Sequence, residues 1–234
     1  TLIHKYLMAQ KFVIPHSRPT VDESDLFSVS EVIRSGRIVQ GEEVEKFEKK
    51  MAKFIGVHGA VATNTGTSSL HLSLLAIGIK KGDNVAMPSF VCTALLNAVK
   101  YVGAQPTLVD INPETYNIDI SDLKKRIKRT TKAIILPHLF GLPADIDEIL
   151  SLGIPVIEDC AQAIGAVYKG GKTGSFGRLS CFSFYATKVL STGEGGMVVS
   201  DSKSLLKKIR DFRDYDNKKN YSVRYNYKMM DIQA

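Results

Sequence analysis

Cysteine is scarce in this sequence, and the three present, Cys92, Cys160 and Cys181, form no CxxC pair and no even-numbered set. A disulfide framework is therefore excluded. Each cysteine lies inside an apolar run and reads as a reduced, buried thiol of a cytoplasmic protein. Long hydrophobic runs are missing too. No 18 apolar residues follow one another, and the apolar stretch within Thr1–Gln10 is too short for a secretory signal, so no membrane association is expected. The chain begins with Thr, with a Met at position 8, and its leading residues carry no functional weight. There is no internal repeat, no low-complexity tract and no Pro- or Ser-rich linker, which leaves the composition of a single globular unit.

Charge of one sign does not prevail over most of the chain either. The net charge is +7, but the basic residues are interleaved with acids, as in Glu42, Glu43, Glu45, Lys46, Glu48, Lys49 and Lys50. That pattern reads as a solvated helix face. With no helix-turn-helix pattern and no basic stripe, a nucleic-acid partner is not expected.

What the sequence does contain is alternation. From Ala60 onward, short β-branched runs alternate with amphipathic stretches, the pattern of βαβ units around a mostly parallel sheet. Strands are predicted at Ala60–Thr63, Asn84–Pro88, Gln105–Asp110, Ala133–His138, Val156–Glu158, Ser180–Tyr185 and Met197–Ser200. Helices are predicted at Ser68–Ile77, Thr93–Tyr101, Ser121–Lys128, Asp145–Leu150 and Ser202–Phe212, several opened by a Ser, Thr or Asp able to cap free amides. The fold class is α/β, a three-layer α/β/α arrangement around seven strands. Thr20–Gly36 and Glu42–Ile55 read as two helices of an N-terminal arm (residues 1–55) preceding a large domain (56–234). Tyr227–Ala234 reads as the start of a further helix.

Three segments are candidates for chemistry. Asn64-Thr65-Gly66-Thr67-Ser68-Ser69 joins a strand to a helix, where unpaired amides and the positive end of the helix dipole suit a phosphate. Alternatively, Thr67 or Ser68 simply caps the helix. Pro155-Val156-Ile157-Glu158-Asp159-Cys160 ends a buried strand in two carboxylates, with Asp159 at the carboxyl edge where such sheets place ligands. Asp159 there meets a cation or solvent, or caps the next turn. No metal is expected, because the side chain of Cys160 should point to the opposite face. Ser180-Cys181-Phe182-Ser183-Phe184-Tyr185-Ala186-Thr187-Lys188 carries a lysine at the end of an apolar strand. Burial would hold its amine neutral and nucleophilic, whereas a snorkelling surface lysine is the ordinary alternative. The glycines of Thr192-Gly193-Glu194-Gly195-Gly196 predict a tight return packed against something flat. Together the three segments offer a phosphate anchor, an acid to keep a pyridinium nitrogen protonated, and an amine for an aldehyde, the needs of an electron-sink cofactor.

From about Ile14 to Ala234 the sequence resembles the DegT/DnrJ/EryC1/StrS family of sugar aminotransferases, among the fold-type-I pyridoxal phosphate enzymes. Matching segments include Ser35–Gly41, Asn64–Leu70, Lys81–Pro88, Thr131–His138 and Ile157–Gln162. The strongest are Phe182–Lys188 and Thr192–Met197. The resemblance implies that Lys188 is the Schiff-base lysine and proton shuttle, that Asp159 pairs with the pyridine nitrogen, and that Gln162 lies beside the cofactor's 3-oxygen. It further implies that Gly66, Thr67, Ser68 and Ser183 hold the phosphate, and that Asn226 reaches the phosphate of a partner subunit, making the active unit a homodimer with shared sites. The ring that stacks on the pyridine in relatives falls at Cys92. Phe90 would lie on the same side in extended backbone and could substitute.

The reaction so implied is a ping-pong transfer of an amino group from an amino acid donor, by family habit glutamate, to a nucleotide-linked keto sugar in amino-sugar or surface-polysaccharide synthesis. Thr192–Met197 looks most like members that aminate C4 of 4-keto-6-deoxyhexoses, with C3 amination the alternative. Lys188 argues against the dehydratases of this family, which carry His there. A non-catalytic regulator is the rival from another class. Relatives continue beyond this point into a C-terminal small domain that helps form the substrate cleft.

Overall fold

The structure is a computed structural model that describes residues 14–234, so Thr1–Gln10 falls outside the described residues. Its strands are β1 (Gly59–Thr63), β2 (Asn84–Pro88), β3 (Gln105–Val109), β4 (Thr131–Pro137), β5 (Val156–Asp159), β6 (Val167–Tyr168), β7 (Gly171–Lys172), β8 (Leu179–Ser183) and β9 (Gly196–Ser200). Its helices are α1 (Glu23–Ser35), α2 (Glu42–Ile55), α3 (Gly66–Ala76), α4 (Thr93–Tyr101), α5 (Ile120–Arg126), α6 (Ile146–Leu150) and α7 (Lys203–Arg213). Seven strands form one sheet in the order β1-β9-β8-β5-β4-β2-β3. β9 runs antiparallel to both neighbours and the other pairings are parallel. This is the mostly parallel seven-stranded sheet that the alternation predicts. The small antiparallel ribbon β6–β7 was not anticipated, because two-residue strands leave no periodicity to read.

Strand side chains alternate between two cores. Val61, Ala133, Ile135, Ile157, Cys181 and Val198 face one layer, with Leu70, Leu72 and Leu74 of α3, Leu95 and Val99 of α4, and Leu205 and Ile209 of α7. Their sequence neighbours face the other way. Ala60, Ala62, Phe182, Met197 and Val199 meet Val44, Met51 and Ile55 of α2, and Ile134, Leu136 and Val156 meet Leu123, Ile146 and Ile149 of α5 and α6. Each large side chain so buried contributes about 1.5–3 kcal/mol relative to exposure.

The two N-terminal helices behave differently. α1 buries none of its residues and is closed instead by a capping box in which Asp22 and Asp25 exchange bonds with each other's amides. α2 packs against β1 through the apolar stripe just named. Its Glu48, expected on a solvated face, is buried. One carboxylate oxygen accepts the Ala62 amide at 2.9 Å and the Arg213 guanidinium at 2.8 Å, and the other accepts from Arg210 at 3.1 Å. Glu48 lies one helical turn from Val44 and from Met51, on the apolar stripe, and that spacing was the overlooked signal.

The expected helix at Tyr227–Ala234 is not formed. The segment is irregular to Met230 and ends in one turn, because its residues have tertiary partners. Met229 is buried, and the Asp231 carboxylate accepts the amides of Gly41 (2.7 Å) and Val44 (3.1 Å). Asp231 thus caps α2 from a distance, where Gly41 at the N-cap position has no side chain to do so.

Glu48→Ala leaves Arg213 buried without its carboxylate and should cost about 3–5 kcal/mol in urea unfolding, whereas Glu45→Ala on the exposed face should stay within about 0.5 kcal/mol. Equal effects would show that Glu48 has no structural part.

Candidate active site

Alternation along β5 sends its two terminal carboxylates to opposite faces. Glu158 points down. One oxygen accepts the Phe176 amide at 2.9 Å, the Gly177 amide at 2.6 Å and the Ser180 hydroxyl at 3.1 Å, and the other accepts His138 Nε2 at 3.0 Å and the Gly174 amide at 2.8 Å. Burial alone would push this carboxyl up. The bonds from His138 and the loop amides outweigh that and hold it below its ordinary value. The stabilisation is present above about pH 4.5 and is lost as pH falls. His138 Nδ1 accepts the Ala144 amide at 3.2 Å, so its proton sits on Nε2.

Asp159 points up and is poorly supplied. It is 9% exposed, and among the described residues its one hydrogen bond comes from the Ala161 amide at 3.0 Å. Burial raises its pKa, and the Ala161 bond and the charge of Lys188 only partly offset this. A carboxylate in this condition is a ready partner for a cation. It lines a cleft of about 350 Å³ together with Gly66, Thr67, Cys92, Gln162, Ser183 and Lys188.

The turn before α3 settles which residue caps that helix. Thr65, rather than Thr67 or Ser68, is the N-cap, and its hydroxyl accepts the Ser68 amide at 3.0 Å. Ser68 is buried, its hydroxyl bonded to Asn64 at 2.7 Å and Thr65 at 2.9 Å, and it does not line the cleft. Gly66 and Thr67 do. Their amides open the helix with no carbonyl one turn behind them, which leaves two donors at the positive end of α3 for an anion. The helix end sits close to β8, and a Cβ on Gly66 would lie 2.8 Å from that of Ser183.

Lys188 is not on a strand. β8 ends at Ser183, and a turn closed by the Lys188 amide and the Tyr185 carbonyl at 2.8 Å carries the lysine, half-buried, into the cleft. Among the described residues its Nζ makes no hydrogen bond. Backbone bonds from Ala186 to Gly193 and from Phe184 to Gly195 bracket the return to β9. The close packing predicted for these glycines is against protein. A Cβ on Gly196 would collide with the Thr65 carbonyl, so the loop after Lys188 and the anion turn brace each other.

Gln162 Oε1 accepts the Phe140 amide at 2.8 Å, which leaves its NH2 to donate. Cys92, expected to be buried like Cys160 and Cys181, is instead exposed, because it sits at the N-cap of α4, and it lines the cleft. Phe90 does not. The backbone bends at residues 89–91, so the extended geometry that would align Phe90 with Cys92 is absent, and Phe90 packs on Tyr116 at 5.7 Å. Asn226 is exposed and lies outside this cleft.

Sequence reasoning gave no role to His138, Tyr185 or Glu194, which also line the cleft. The place of His138 at the carboxyl end of β4 was the available signal. His138, Glu158 and Cys160 bring donor atoms within 4.8 Å of one another on the lower side of β5. Both nitrogens of His138 and both oxygens of Glu158 are already bonded, so the trio serves as a hydrogen-bond hub. Burial pushes the Cys160 thiol well up, which keeps it protonated. Among the described residues, no helix is long and apolar enough to cross a membrane.

The model of the DegT/DnrJ/EryC1/StrS aminotransferase family matches residues 19–234. The chain is 39% identical over 231 residues to the GDP-perosamine synthase of Escherichia coli O157:H7, covering 94% of this chain and 64% of that protein. It is 38% identical over 241 residues to the UDP-N-acetyl-3-dehydro-alpha-D-glucosamine 3-aminotransferase of Acidithiobacillus ferrooxidans, covering 97% of this chain and 65% of that one. The PLP-form of Streptococcus pneumoniae Spr1654 superposes with a TM-score of 0.88 at 27% identity, covering 95% of this chain and 64% of that one. The chain therefore spans a little under two thirds of the length of these relatives.

Asp159→Asn keeps an acceptor for Ala161 but removes the buried charge. Because the folded-state pKa of Asp159 is raised, its charge destabilises the fold once pH rises above 3.8. The cofactor-free variant should melt a few degrees higher at pH 7, with the difference closing toward pH 4; a lower melting temperature at pH 7 would contradict the assignment.

Proposed function

Since this chain belongs to the DegT/DnrJ/EryC1/StrS aminotransferase family, we propose that the whole protein transfers an amino group from an amino acid to a nucleotide-linked keto sugar, using pyridoxal 5'-phosphate. The observation that carries this reading is the meeting of three unlike groups in one cleft: the free Gly66 and Thr67 amides, the undersupplied Asp159 carboxylate and the Lys188 amine. They fit the cofactor's phosphate, ring nitrogen and aldehyde respectively. The cleft volume also falls within the roughly 300–1,000 Å³ usual for small-molecule sites.

When bound, the cofactor supplies an electron sink for negative charge developing on the substrate carbon. Lys188 would supply the amine that holds the cofactor through its aldehyde, and as a free amine it would hold and move a proton at the reacting carbon. Asp159 acts through its charge in a site of low dielectric, holding a proton on the ring nitrogen. Gly66 and Thr67, with the Ser183 hydroxyl, hold the phosphate. The Gln162 NH2 donates to the ring oxygen. Cys92 offers a small, polarisable contact where relatives stack a ring, so ring-face contact contributes less here.

The favoured substrate is an NDP-4-keto-6-deoxyhexose, a reading that the similarity to a GDP-perosamine synthase supports, and the proposed donor is glutamate. A 3-keto sugar is the second reading, favoured by the similarity to a 3-aminotransferase. The active unit is proposed to be a homodimer whose sites share Asn226, in the cytoplasm, where the Cys160 and Cys181 thiols stay reduced.

Lys188→Ala in the full-length protein should remove the aldehyde-linked absorbance and lower turnover by about 10³-fold or more. Wild-type transamination by that variant would sink the proposal. A panel of UDP-, dTDP- and GDP-linked 3-keto and 4-keto sugars with glutamate should give the highest kcat/KM with a 4-keto-6-deoxy sugar, and preference for a 3-keto sugar would decide for the second reading.

A further inference from the structure

His71 is a core residue of α3 for which the proposed chemistry has no use. It is 3% exposed, its Nδ1 lies 3.2 Å from the Tyr227 hydroxyl, and its Nε2 has no partner among the described residues. A buried polar ring normally completes its hydrogen bonds, so the place of this one calls for another reason. Its edge meets the rings of Tyr101, Tyr225 and Tyr227 at 5.5, 4.8 and 5.9 Å, and the two latter tyrosines stack on each other at 5.1 Å. Burial drives its pKa down to about 4, so the ring is neutral at physiological pH.

The two tyrosines flank Asn226, which is exposed between them. Their backbones are fixed on both sides, Tyr225 donating to the Phe212 carbonyl at 2.8 Å and Tyr227 to that of Arg213 at 3.0 Å. The Tyr227 carbonyl in turn accepts the Asn64 amide at 2.9 Å, and Asn64 holds Ser68 in the anion turn. One cluster therefore ties the anion turn to a segment whose Asn226 is exposed and does not line the subunit's own cleft.

We propose that the His71–Tyr227 pair is a positioning device that fixes Asn226 for the cleft of a second copy of this chain, so that cofactor affinity in one subunit depends on His71 of the other. The inference rests on the reading that Asn226 reaches across a dimer. His71 touches neither cofactor nor substrate and acts only through the tyrosine pair.

Hybrid dimers of the full-length protein, with one tagged subunit carrying Lys188→Ala, test it, because only the partner's cleft then forms the lysine-linked chromophore. Adding His71→Leu to the tagged subunit should weaken pyridoxal phosphate binding in the partner's intact cleft by about tenfold, as should Asn226→Ala there. Placing His71→Leu instead in the subunit with the intact cleft should have the smaller effect. If Asn226→Ala weakens the partner's cleft and His71→Leu does not, or if the effect of His71→Leu is larger within its own subunit, the inference is overturned while the shared site stands. If Asn226→Ala in the tagged subunit has no effect, the shared-site reading fails and the inference with it. Tyr227→Phe removes only the hydroxyl and carries the same test where a His71→Leu subunit does not fold.

Discussion

The site depends on one constraint, that two consecutive carboxylates on β5 must face opposite ways. Glu158 and Asp159 receive different treatment below and above the sheet. Glu158 is fully supplied with donors from a histidine, three loop amides and a hydroxyl, and this fixes the strand end, the loop at residues 174–177 and the ring of His138. Asp159 is left one amide and a buried position. An unpaired buried carboxylate is costly, and the fold tolerates it because the neighbouring residue anchors the backbone that carries it. The pairing of a satisfied acid with a poorly satisfied one turns a structural strand into a place for a cation.

The rest of the cleft follows from close approach around that strand end. Gly66 lets α3 begin against β8, and Gly196 lets the return from Lys188 pass over the Thr65 carbonyl. The anion turn and the lysine loop are thus held by each other, and neither needs a long side chain to place it. Thr65 takes the capping role, which frees the amides of Gly66 and Thr67. The lysine itself sits on a turn rather than on a strand, and its side chain lines the cleft.

Much of this was legible in the sequence because the signals are local. β-branched runs separated by capped helices gave the seven strands within a few residues of their observed ends. The residue types at Gly66, Asp159 and Lys188 suggested the proposed chemistry, and the structure brings the three to one cleft. Interactions that join distant residues were not legible. Glu48 looked like one more acid in a charged helix until Arg213 and the Ala62 amide met it, and Asp231 caps a helix whose N-cap residue, Gly41, lies 190 positions earlier. The tail from Tyr227 has a helical look that its tertiary partners overrule. The failure of Phe90 to reach the cleft had a local cause, a bend after β2, but bends of that kind leave little trace in composition.

The central claim is that Lys188 is the amine that meets the cofactor aldehyde in a cleft built by Asp159 and the α3 terminus. Full-length protein loaded with pyridoxal phosphate, reduced with borohydride and digested for peptide mass mapping tests this most directly. The pyridoxyl label is expected on Lys188. Label on another lysine, or no label despite bound cofactor, would contradict it.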